Sequence, residues 1–118
     1  MARCLVNVGG GGSSSSVLTI SEQTGASYTL ASSDHGTMID MNSASAQTLT
    51  VPLNSSVALS TGFYVIIRQK GAGQVTVSPS GGVTVNPSST LKTGGQYSII
   101  VLIKVDTDTW AIGGDMSA

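Results

Sequence analysis

Residues 96–105, QYSIIVLIKV, constrain this 118-residue chain more than any other stretch. They run into Asp106-Thr107-Asp108 and return as Thr109-Trp110-Ala111-Ile112. Successive side chains of a strand point to opposite faces. Tyr97, Ile99, Val101, Ile103 and Val105 therefore share one face, and Ser98, Ile100, Leu102 and Lys104 share the other. The second face is polar at its ends and apolar in its middle. A strand that is greasy on both faces is covered on both, by its own domain or by another chain.

The rest of the chain reads as short strands between turn signals, the pattern of a sandwich or barrel. Strands are expected at 17–20, 28–30, 37–41, 47–51, 62–70, 74–77 and 83–85, separated by polar, Gly or Pro clusters. Gly71-Ala72-Gly73 reads as a tight loop between two of them, since Gly tolerates positive φ. No stretch of useful length has helical periodicity. The expected fold is all-β: an antiparallel β-sandwich or jelly-roll-like single domain over 17–118, preceded by an extended arm and linker at 1–16. Leu5, Val6 and Val8 are the apolar part of that arm, and Gly9 to Ser16 form a low-complexity linker. By composition the linker is a flexible tail. The sharper alternative is that residues 1–8 lie on another subunit, adding a strand to an exposed sheet edge.

Charge narrows the function. Charged residues make up 9% of the sequence, less than a soluble monomer usually carries on its surface. The net charge is −1 and the basic residues are scattered, which is no footprint for nucleic acid or an anionic membrane. No run approaches the length of a bilayer span. The one cysteine, Cys4, has no partner for an internal disulfide, so assembly in a cytoplasm is expected.

Chemistry is sought and not found. His35 follows Ser33 and Asp34, but a triad needs convergence from a fold rather than adjacency in one turn. Asp106 and Asp108 read as a hairpin tip whose side chains bond the local backbone rather than as a Ca²⁺ loop. Gly9 to Gly12 lack the Lys-Ser/Thr of a phosphate loop. Tyr28, Tyr64, Tyr97 and Trp110 fall within expected strands and read as packing residues before sugar-stacking ones. No enzyme activity, metal or cofactor is expected.

From Tyr28 onward the chain resembles a small domain of tailed-bacteriophage structural proteins. The resemblance lies in Tyr28-Thr29-Leu30, Asp34-His35-Gly36 and Thr48-Leu49-Thr50-Val51-Pro52. It continues in residues 67–77, in Gly95-Gln96-Tyr97, and in residues 102–110 followed by Gly113-Gly114-Asp115. It implies a virion role. With only a short arm ahead of the domain, it looks like a head-decoration (cement) protein, expected as a homotrimer on the capsid surface, bound to the major capsid protein. The alternative is a tail-fibre tip or adhesin module binding host glycans. Leu5, Val6 and Val8 are the expected partner contacts of the arm, and Ile100 and Leu102 those of subunit packing. A second sheet of the same domain covering Ile100 and Leu102 is the competing reading.

Overall fold

The computed structural model describes residues 17–87 and 91–117. Their strands are β1 (Ile20–Gln23), β2 (Ser27–Thr29), β3 (Met38–Met41), β4 (Gln47–Val51) and β5 (Tyr64–Gln69). β6 (Val75–Pro79), β7 (Thr84–Asn86), β8 (Ile99–Asp106) and β9 (Thr109–Gly114) complete the set. The fold is all-β. Among the described residues the one helical element is a single 3-10 turn at Ser32–Asp34. The arm and linker at 1–16 lie outside the described residues.

The antiparallel sandwich or jelly roll expected from the sequence is corrected. β1, β3 and β5 lie side by side in one sheet and are parallel, and β2, β4 and β6 do the same in a second sheet. The chain thus winds from one sheet to the other and back, like a β-solenoid. Only the pairs β5–β8 and β8–β9 are antiparallel, and β7 closes the larger sheet parallel to β9. The order of the six-stranded sheet is β1-β3-β5-β8-β9-β7. Alternation of apolar and polar residues is the same in parallel and antiparallel strands, so it cannot report direction. The corners decide it.

Gly71-Ala72-Gly73 is such a corner. It does not return β5 beside itself as a hairpin; it carries the chain across to β6 in the other sheet. There it stacks on the corner of the coil before. The amide of Gly73 donates to the Ser43 carbonyl at 2.8 Å, and a Cβ on Gly71 or Gly73 would run into the backbone of Ser43 or Ser45. Buried glutamines tie neighbouring coils at these corners. Gln47 Nε2 donates to the carbonyls of Gln23 and Gly25 at 3.0 and 2.9 Å, while Gln69 Nε2 braces its own corner at the Gly71 carbonyl, 3.1 Å away. Thr93 Oγ1 donates to Gln69 Oε1 and accepts the Val75 amide, which leaves this buried amide satisfied.

Stacked coils put like residues in register. On the inner side of the six-stranded sheet Ile39, Ile67 and Ile100 lie abreast, as do Val65, Leu102 and Ile112. Tyr28, Leu49 and Val77 do so in the second sheet. The two inner sides form one core, closed by Phe63 and Trp110, whose rings meet edge to face at 5.7 Å.

Tyr28 ends its ladder with a polar tip. Its hydroxyl donates to the Asp34 carboxylate at 2.8 Å, which also accepts the Ala31 amide at 2.9 Å. Burial, this hydrogen bond and the charge of Asp34 push the Tyr28 hydroxyl up to about 12. An unfolded tyrosine ionises near 10. Below that pH the hydroxyl is neutral in both states and its contribution is whole. Between about 10 and 12 the unfolded chain has lost its proton and the native state has not, so stability falls as pH rises. Tyr28→Phe is expected to lose about 1–2 kcal/mol at pH 7 in chemical denaturation. It should also flatten the loss of stability between pH 10 and 12.

Candidate functional site

The outward face of the six-stranded sheet is the surface that needs explaining. Ile20, Met38, Ile66 and Val101 form an unbroken row across β1, β3, β5 and β8. Beside it Tyr64 pairs with Ile103, which pairs with Ala111. Ile20 is 53% exposed, Tyr64 42%, Ile99 47%, Ile103 40% and Val105 50%. Met38, Ile66 and Val101 lie half-buried between them. Together they expose on the order of 500 Å² of apolar surface, at the upper end for the largest patch on a soluble monomer. A sheet face this apolar is normally covered.

One border of the face is charged and internally neutral. Arg68 sits in register with Asp40, and its Nε and Nη2 reach the two carboxylate oxygens at 2.6 and 2.8 Å. Asp40 is buried beneath this fork, and the hydrogen bond to it holds the guanidinium more firmly charged than usual. Glu22, in register with Asp40, takes a hydrogen bond from the Asn42 amide and lies 3.5 Å from Lys70. Both contacts lower its pKa, the Asn42 bond more than the Lys70 charge. Tyr97 stands nearby with φ +70° and is 63% exposed. A bulky residue in the left-handed region is uncommon, and here its amide is held by the Gln69 carbonyl at 2.5 Å.

Ile100 and Leu102 do not belong to this face. Both are 0% exposed, packed inside the chain's own core, and are unavailable to a partner. Their assignment to subunit packing is corrected: the second sheet of the same chain covers them, and the alternate residues Ile99, Val101, Ile103 and Val105 face outward. Leu5, Val6 and Val8 lie outside the described residues. The outward row is not legible in the sequence, because its members come from four separate strands. Each was apolar in the sequence, but only the coil register brings them together.

Apart from this face, a cleft of about 410 Å³ is lined by Ser32, His35, Leu59, Ser60, Thr61 and Phe63 among others. His35 packs on Phe63 with ring centroids 5.5 Å apart, and its Nδ1 accepts the Tyr64 amide at 3.3 Å. The Asp34 carboxylate is committed to Tyr28 and Ala31, so Ser33, Asp34 and His35 form no relay. Behind the cleft Lys104 is 2% exposed, with its ammonium donating to Asn54 Oδ1 and the Leu59 carbonyl, each at 2.7 Å. This buried cation pins the loop between β4 and β5 that forms the cleft wall. Asp108 helps from outside, accepting the Asn54 amide at 2.8 Å. Lys104→Met leaves the Leu59 carbonyl short of its donor. A loss of about 1–3 kcal/mol is expected, with faster amide exchange at Ser56 and Val57.

Among the described residues no three His, Cys, Asp or Glu side chains gather as a metal site, and no helix is long and apolar enough to cross a membrane. No protein-family model matches the chain, and no curated protein matches it. The two features that remain are a large apolar face and a small hydroxyl-lined cleft.

Proposed function

We propose that this chain is a structural protein of a bacteriophage virion, a head-decoration protein that stabilises the capsid by bridging neighbouring capsomers. The supporting observation is the apolar outward face of the six-stranded sheet, on a chain with few charges to keep it solvated. Its action is mechanical. Pulling capsomers apart would expose the face to water. At about 25 cal/mol per Å², a patch on the order of 500 Å² contributes about 12 kcal/mol before association costs. Those costs run to about 4–15 kcal/mol, so a single copy binds weakly. Many copies on an icosahedral lattice add through multivalency. The major capsid protein and further copies of this chain are the partners, and the capsid surface is the location. Purified chain added to heads that lack it should raise the temperature at which they release DNA. Heads that neither bind it nor change overturn the proposal.

The cleft favours a second reading, a tail-fibre tip or adhesin. Hydroxyls of Ser32, Ser60 and Thr61 beside the His35 and Phe63 rings are groups that hold a sugar. Titration with host glycans, followed on the His35 imidazole by NMR, tests it. Saturating shifts support the adhesin, and a flat titration removes it.

A further inference from the structure

We propose that the outward face of the six-stranded sheet is covered by another copy of this chain, packed face on face about a symmetry axis that passes beside Ile66 and Val101. This rests on reading that face as a packing surface and names its occupant. Area is the first argument. Two patches on the order of 500 Å² bury about 1,000 Å² on pairing, about the least a biological interface buries, and a polar rim adds to it.

Charge is the second. The border made by Glu22, Asp40, Arg68 and Lys70 carries two charges of each sign, already paired within the chain at 2.6–3.5 Å. A copy placed against itself therefore meets no like-charge field, the usual obstacle to a self-contact. No described cation of the face is left over to select an acidic partner. The face is also uniform in chemistry. β-branched residues dominate both the central row and its neighbours, Ile20, Ile66, Val101, Ile99, Ile103 and Val105. Two such sheet faces interdigitate at the spacing of stacked sheets, about 10 Å. Tyr64 and Tyr97 stand at the margins, where an aromatic ring with a polar tip suits an interface rim.

Sedimentation of the full chain between 1 and 200 µM tests this, alongside Ile103→Lys and Ile99→Lys. Both positions are 40% exposed or more, so the substitutions leave the core untouched, and unchanged circular dichroism and Trp110 fluorescence verify it. The expected result is a mass that climbs to twice that of the protomer. Each variant should weaken association at least 100-fold, while Thr29→Lys, exposed on β2 of the other sheet, should not. A wild-type chain that stays monomeric at 200 µM overturns the proposal, as do variants that assemble as well as the wild type. If monomeric chain still binds heads, the occupant of the face is the shell, and the decoration reading survives without this one.

Discussion

Ile100→Asp is expected to leave the chain unfolded at 25 °C, with no cooperative transition by circular dichroism. Ile100 is fully buried, flanked by Ile67 and Gly114 in register and facing the second sheet across the core. The substitution removes about 1.5–3 kcal/mol of apolar burial. It also forces a carboxyl into a site with no donor to meet it, at a further several kcal/mol. The sum approaches the whole stability of a small domain, about 5–15 kcal/mol. Ile103→Lys, three residues on but facing outward, should change the stability of the dilute chain by less than about 0.5 kcal/mol. This contrast separates the two faces of β8. Comparable stability losses at positions 100 and 103 would mean that the faces are assigned wrongly.

Gly73→Val is expected to cost about 3–5 kcal/mol, read from denaturant midpoints at constant slope. The loss does not come from the left-handed region, since Gly73 has no positive φ. It comes from contact between coils. The added Cβ would strike the carbonyl of Ser45, which is backbone and has no rotamer to yield. The corner at Gly71-Ala72-Gly73 would have to lift off the corner at Ser43–Ser45, taking the Gly73–Ser43 hydrogen bond with it. Gly81→Ala is the contrast. A Cβ there meets nothing within 4 Å, and its effect should stay below about 1 kcal/mol.

Much of the strand pattern was legible in the residues. The expected strand at 47–51 coincides with β4, and the opening stretch with its return forms the hairpin β8–β9. Alternation along 62–70 puts Phe63, Val65 and Ile67 on one face, and all three are buried. Direction of pairing was not legible, because a two-residue period is common to both kinds of sheet. Gly71 and Gly73 signalled a sharp bend, yet a bend into a hairpin and a bend across to a second sheet use the same residue. An apolar middle between polar Ser98 and Lys104 pointed to a side covered by a partner subunit. In the structure Ser98 donates to Asp115 at 2.7 Å, and Lys104 turns its ammonium to Asn54 and Leu59. Polar residues whose partners are at hand can be buried. That satisfaction, invisible in a linear string, inverted the two faces of β8 and sent the partner assignment to Ile100 and Leu102.

Cryo-electron microscopy of purified virions locates the chain. Many copies over the head are expected, with Ile20, Ile66, Val101 and Ile103 buried against a neighbouring chain. Virions without the protein, or copies whose outward sheet face stands bare in solvent, would contradict it.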